Sequence, residues 1–296
     1  MTPQRKLRER LGRKEILVAP GVYDALSAMM AANAGFEAVY LSGASVAYTR
    51  LARPDLGLLG MEAVASVVGL IRERVDLPII ADADTGFGNA LNVQRTLRVF
   101  ERAGASAIQL EDQSLPKRCG HLAGKTLVSR KEMVGKIKAA LDARLDPEMI
   151  IIARTDAIAV EGFGPALERA AAYAEAGADM LFLEAPGDRI QMAKMVSALA
   201  GRLPLMANMV EGGKTPLIPA AELQDIGFRL VIFPGGLVRA LAHAMSNYFR
   251  SLKAAGTTEP FKSSMLDFQT LNHLLGTETM LAQGRKYDEE TDHGQS

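Results

Sequence analysis

The chain has 296 residues, 48% of them apolar, and its 34 basic side chains balance 34 acidic ones. That balance leaves no global field to favour nucleic acid or an anionic membrane. The single cysteine excludes an intrachain disulfide and fits a reducing compartment, and the length admits one large α/β barrel or two medium domains.

Met1 to Glu15 is basic and helical in character, with no apolar core of a signal peptide. Short apolar runs then recur at Ile16–Ala19, Ala38–Ser42, Pro78–Asp82, Ala107–Glu111, Met149–Arg154, Met180–Glu184, Pro204–Asn208 and Leu230–Pro234. Helical patterns separate them, and several runs follow one phrase, as in Ala103-Gly104-Ala105 and Ala176-Gly177-Ala178, where glycine ends a helix before the next strand. Eight such units without a linker predict a (β/α)8 barrel over residues 1–250, with a doubly wound open sheet as the runner-up. Residues 251–296 are expected to be a helical extension of the same domain. The longest apolar region, Leu230 to Met245, is broken by Pro234-Gly235-Gly236 and carries Arg239 and His243, so no membrane span is expected and the chain reads as cytoplasmic.

A barrel builds its site at the C-terminal ends of its strands. Those ends read Tyr23-Asp24, Ser42-Gly43, Asp82-Ala83-Asp84, Glu111-Asp112, Arg154-Thr155-Asp156, Glu184, Asn208 and Pro234. So many carboxylates on one mouth require a counter-charge. Asp82, Asp84 and Glu111 are oxygen donors without a His or Cys cluster, which favours a hard ion that keeps several waters, Mg2+. The alternation of Asp82 and Asp84 puts both on one strand face, and Gly86 and Gly88 leave room for a loop near the metal. The plainer alternative is that Asp84 caps the following helix.

Lys117-Arg118-Cys119-Gly120-His121 follows the acidic strand end. Neighbouring cations are expected to lower the thiol from about 8.5 toward neutrality and make it useful for proton transfer. A buried structural cysteine is the alternative, but the surrounding residues are those of a polar, flexible loop. The segment from about Ser114 to Lys125 is expected to act as a lid, with Gly120 and Gly124 as hinges. Arg154 suits a carboxylate or phosphoryl group, or a salt bridge within the carboxylate ring. Ser42-Gly43-Ala44-Ser45 is either an anion-binding turn or a plain βα connection, and Asn208 to Pro216 has the glycines of a mobile loop.

Asp82-Ala83-Asp84-Thr85-Gly86-Phe87-Gly88, Glu111-Asp112-Gln113, Lys117-Arg118-Cys119-Gly120-His121 and Ala153-Arg154-Thr155-Asp156-Ala157 together resemble the isocitrate lyase/phosphoenolpyruvate mutase superfamily. The cysteine loop resembles its carbon–carbon lyase branch; phosphonopyruvate and oxaloacetate decarboxylase members generally lack that residue. The resemblance implies Mg2+-dependent cleavage (Mn2+ substituting) of a 2-hydroxy dicarboxylate or tricarboxylate. It implies Tyr40 as the base, Arg154 and His121 as stabilisers of the enediolate, Lys117 beside them, and Cys119 as the acid that protonates the carbanion. It further implies substrate contacts from Ser42, Gly43, Ala44, Gly120, Glu184, Asn208 and Arg239, a supporting acid at Asp55, and a helix-exchanged homotetramer. In methylisocitrate lyases a further arginine holds part of the tricarboxylate, whereas here the matching segment, Gln269-Thr270-Leu271-Asn272, has Leu271. Loss of a buried carboxylate partner costs on the order of 2–5 kcal/mol. The expected substrate is therefore a 2,3-dimethylmalate-like 2-alkylmalate, with methylisocitrate next and Arg50 or Arg53 as replacement cations.

Overall fold

A computed structural model describes residues 1–289. All eight expected runs form strands: β1 (Leu17–Val22), β2 (Val39–Leu41), β3 (Ile79–Asp82), β4 (Ala107–Glu111), β5 (Ile150–Thr155), β6 (Met180–Leu183), β7 (Leu205–Asn208) and β8 (Leu230–Phe233). They pair in parallel in sequence order, and β8 returns to β1 to close the barrel. The open sheet is thereby excluded. The glycine phrase works as expected at Gly104 and Gly177, both left-handed at φ 102°, where any side chain would strain the turn into the next strand.

Period two divides each strand between the barrel interior and the surrounding helices. Leu17, Ala19, Tyr40, Ile80, Ala107, Ile150, Ile152, Met180, Phe182, Met206, Leu230 and Ile232 form one interior cluster. Leu7, from the N-terminal helix Pro3–Leu11, is fully buried in that same cluster. The basic faces of this helix remain outside: Arg8 pairs with Asp179 at 3.0 Å and Arg10 with Glu37 at 2.6 Å.

The residues form two compact units, one from Met1 to Arg239 and one from Ala240 onward. The division falls inside the helix Gly236–Ala255. The second unit contains the helices Phe268–Leu275 and Thr277–Glu289 and an aromatic cluster in which Tyr248 meets Phe249 and Phe261 edge-on. Among the described residues no helix is long and apolar enough to cross a membrane.

The seam that closes the barrel has no spare volume. A methyl group added at Gly21 on β1 would lie 2.6 Å from Pro234 Cα, backbone that cannot step aside. Gly21→Ala is expected to destabilise the protein by roughly 1–3 kcal/mol through overpacking. The measurement is a denaturant titration, with a lower midpoint at unchanged slope.

Candidate active site

Continuing each interior series by a step or two turns the barrel from apolar to charged. Tyr40 leads to Ser42, Ile80 to Asp82, Ala107 to Gln109 and Glu111, Ile152 to Arg154, Phe182 to Glu184, and Met206 to Asn208. All of these are buried. With them are Asp55, Asp84, Asp156 and the cations Lys117 and Lys125. Most of the residues that the sequence pointed to as functional therefore meet at one mouth.

Asp84 reaches the site by a different route from the one expected. β3 ends at Asp82, and Asp84 lies beyond it in the left-handed region at φ 47°, its N–H donating to Asp82 Oδ1 at 3.1 Å. A turn, not strand alternation, brings the two carboxylates together. A Cβ at Gly43 would stand 3.2 Å from Asp82 Oδ2 and 3.7 Å from Asp84 Oδ1, so both face the same cradle. The cap alternative fails, because the next helix, Ala90–Ala103, is capped by Asn89. Gly86 and Gly88 serve positive φ and packing against Val93 and Asn92; the space beside them belongs to that helix and not to a metal.

Charge at the mouth is organised around three cations, of which Lys125 pairs with Asp156 at 2.7 Å. Lys117 Nζ lies 2.5 Å from Asp55 Oδ1 and 2.6 Å from Asp84 Oδ1. Arg154 reaches Asp156 at 2.9 Å and Glu111 and Glu184 at 3.3 Å each, with its guanidinium 5.2 Å above the Phe182 ring. Acids still outnumber bases. Burial pushes Asp84 up to about 7, with Lys117 pulling down and Asp82 and Asp55 pushing further up. Burial also raises Glu111 well above the carboxylate range despite Arg154.

His121 and Asn208 complete the ring. The His121 Nδ1 accepts the Lys214 N–H at 3.1 Å, which leaves the proton on Nε2. Nε2 stands 3.5 Å from Glu184 Oε1 without a directed hydrogen bond. Burial lowers the imidazole pKa, and Glu184 only partly opposes that, so the ring is a neutral donor at pH 7. Asn208 Nδ2 donates to Glu184 Oε2 at 3.1 Å, while its Oδ1 is free. Tyr40 Oη donates to Gln109 Oε1 at 3.1 Å, and burial first, then Asp82, keeps the phenol protonated.

The expectation for the thiol is overturned. Burial pushes Cys119 up, and Asp55 and Glu184 add to this, against the His121 N–H and Arg154. The cations that flank it in sequence are committed elsewhere. Lys117 serves Asp55 and Asp84, and Arg118 is exposed with its guanidinium on the Ala123 carbonyl at 3.0 Å. Cys119 is a half-buried acid that keeps its proton. Its loop lies on the site: Lys117 is 3% exposed, and the Cys119 N–H donates to the Asp55 carbonyl at 3.2 Å. A Cβ at Gly120 would be 2.6 Å from Glu184 Cγ, so Gly120 is there for close approach; only Gly124 has the left-handed φ of a hinge, 75°.

The remaining candidates are placed less centrally. Ser42 caps the helix Gly43–Leu51 through the Ser45 N–H at 3.2 Å, which leaves the first-turn N–H groups of Gly43 and Ala44 toward the mouth. Arg239 is half-exposed and paired with Glu211 at 2.8 Å. Arg50 and Arg53 are both exposed, and Arg50 bonds the Ala63 carbonyl at 3.5 Å.

The family described as phosphoenolpyruvate phosphomutase matches residues 7–253. The chain belongs to this family. It is 45% identical over 278 residues to the 2,3-dimethylmalate lyase of Eubacterium barkeri, covering 94% of this chain and 96% of that one. It is 46% identical over 270 residues to the 2-methylisocitrate lyase of Aeropyrum pernix, covering 91% and 86%. Among solved structures, a phosphonopyruvate hydrolase in complex with oxalate and Mg2+ superposes with a TM-score of 0.88 at 31% identity, covering 97% of this chain and 99% of that one.

The donor set of this family member fits Mg2+. Glu111 Oε1 is buried without a hydrogen bond, Asp84 Oδ1 has only the Lys117 ammonium as its partner, and the surplus negative charge calls for a further cation. No group of three or more His, Cys, Asp or Glu among the described residues is arranged to enclose a metal. Sequence reasoning missed Gln109, which period two on β4 would have found, and Lys125, for which one lysine on a glycine-bearing loop gives no signal.

An acid whose folded pKa is raised stabilises the fold fully below its unfolded value of 3.8, and that contribution is lost as pH rises through about 7. Only the ionised form ligates, so Mg2+ is expected to raise the melting temperature more at about pH 8 than at about pH 5. Equal shifts at both pH values would place the ion elsewhere.

Proposed function

We propose that the chain is a carbon–carbon lyase that cleaves a 2,3-dimethylmalate-like 2-alkylmalate to pyruvate, or a related 2-oxo acid, and a carboxylate. The observation that carries this reading is the placement of the Cys119 loop on a mouth lined with Arg154, His121 and buried carboxylates, with Gly120 packed against Arg154 and Glu184. Asp84, Asp82 and Glu111 would hold Mg2+, directly or through water, and Mn2+ would substitute. When bound, the ion supplies the positive charge that favours loss of a proton from the 2-hydroxyl and from Tyr40.

The substrate carboxylate beside C2 meets the Gly43 and Ala44 N–H groups at the positive end of their helix. With Tyr40 as its phenolate, its own proton given up to solvent before substrate closes the site, the 2-hydroxyl proton passes to Tyr40 Oη, the C2–C3 bond breaks with its electrons moving to C3, and the 2-oxo acid forms. The enediolate so produced is held by Arg154 and by the unfilled His121 Nε2–H. The C3 carboxylate is bounded by Gly120, Glu184 and the Asn208 amide, whose Nδ2 is the donor of that side chain. Cys119 then gives its proton to C3. A donor at this step must be protonated beforehand, which burial ensures.

Cleavage of 2-methylisocitrate is the second reading, favoured by the 46% identity to a relative of that name. The alkyl substrate is preferred because the Arg239 charge is already taken by Glu211. Measuring pyruvate release from a panel of 2-alkylmalates and 2-methylisocitrate separates the two. We assign the enzyme to the cytoplasm, where a working thiol stays reduced.

Cys119→Ser is expected to lower cleavage by a factor on the order of 100 or more while the fold and oxalate binding persist. A near-wild-type rate would return Cys119 to a packing role. We further propose a homotetramer, because the second unit exposes Phe249 (61%), Phe268 (83%), Met280 (70%) and Leu281 (59%). Light scattering at micromolar concentration is expected to give four times the chain mass, and a monomer would contradict it.

A further inference from the structure

The Cys119 loop is fastened at its base by ordinary backbone bonding. The Ser114 N–H donates to the Thr126 carbonyl at 2.8 Å, and Gln113 bridges Leu127. The Gln113 amide then grips the Arg118 backbone twice, accepting its N–H at 2.9 Å and donating to its carbonyl at 2.8 Å. The next part of the loop, where Gly120 meets Arg154 and Glu184, is held by something else.

That holder is the Lys125 ammonium. Its side chain is 1% exposed, lies 2.7 Å from Asp156 Oδ1, and also donates to the Gly120 carbonyl. Asp156 is the carboxylate that takes Arg154 Nε at 2.9 Å, and it is fixed from behind by its own N–H on Asp112 Oδ1 at 3.0 Å. Asp112 is in turn held by Thr155 and Tyr173 at 2.7 Å each. The far end of the chain of bonds is therefore rigid barrel wall. The near end is the carbonyl that immediately follows Cys119.

We propose that Lys125 is a positioning residue: its ammonium latches the Gly120 carbonyl to Asp156 and so couples closure of the Cys119 loop to the alignment of Arg154. A buried ammonium is tolerated only with its partners in place. Lifting Gly120 removes one of them and lets water reach the other, so Lys125 leaves with the loop. Asp156 then answers to Arg154 alone, and the guanidinium is free to shift from Glu111 and Glu184. Lysine suits this task because a flexible stem carries three donors at a single point. Mere packing of an aliphatic chain would fill the space without linking the two partners.

The chain has one cysteine, so thiol alkylation reads the state of this loop at a single site. Lys125→Met is expected to alkylate with iodoacetamide at least about tenfold faster than wild type, the factor set by about 1.4 kcal/mol at 25 °C. The thiol pKa taken from the pH profile of that rate should fall toward the ordinary value as burial is relieved. Amide exchange outside residues 114–125 should be unchanged, which a general loss of stability would not allow. Lys125→Gln, which keeps a donor for Gly120 but no charge, should lie between the two and carries the same criterion should the Met variant not fold. Alkylation of the folded variants at the wild-type rate and pKa overturns the latch. The kinetic consequence, a lower kcat with KM less affected, rests on the lyase reading. Alkylation tests the latch whether or not Cys119 is the proton donor.

Discussion

Everything at the mouth of this barrel depends on how a small number of buried cations are shared among a larger number of buried carboxylates. Arg154 is the centre of that arrangement. It touches Asp156, Glu111 and Glu184 from one position on β5 and rests on Phe182 from the neighbouring strand. A buried ion pair of this kind contributes little net stability, since desolvation offsets the attraction. Its value lies in geometry. A guanidinium with three carboxylates around it cannot rotate, and whatever anion approaches it meets donors already aimed.

The same scarcity of positive charge explains the thiol. Read along the chain, Lys117, Arg118 and His121 surround Cys119 and should stabilise a thiolate. In space, Lys117 is drawn to Asp55 and Asp84, Arg118 turns to the surface, and His121 is a neutral ring. The thiol is left with burial and nearby acids, both of which favour the protonated form. A nucleophile would be disabled by this, and a proton donor is suited to it. Of the loop's cations, Lys117 acts on Asp55 and Asp84 and not on the thiol two residues away.

Legibility in the sequence followed from how local each signal was. The strands were plain because each is a short apolar run, several of them entered through a glycine such as Gly104 or Gly177, and their closure into a barrel followed from eight parallel units. The interior alternation carried Asp82, Glu111, Arg154 and Glu184 to the mouth without any knowledge of packing. Asp84 was found for a mistaken reason, since its left-handed turn at φ 47° cannot be read from alternation. Lys125 and the partition of charge around Cys119 were not legible. Both depend on which residues meet across the loop, and sequence neighbours are poor guides to that.

The pair formed by Arg239 and Glu211 bears on selectivity in the proposed reaction. Gly235 and Gly236 allow it: a Cβ at Gly236 would stand 2.9 Å from Glu211 Oε1, so the carboxylate is seated against bare backbone. A free arginine there would offer a partner to a third substrate carboxylate, as a tricarboxylate needs. With Glu211 at 2.8 Å the arginine must give up a solvent-screened partner before a third carboxylate can use it, and that carboxylate meets repulsion from Glu211 beside attraction to Arg239. An alkyl group meets neither. Discrimination of this kind needs no pocket shaped to the favoured substrate. It is enough that the competing charge finds its counter-ion already occupied.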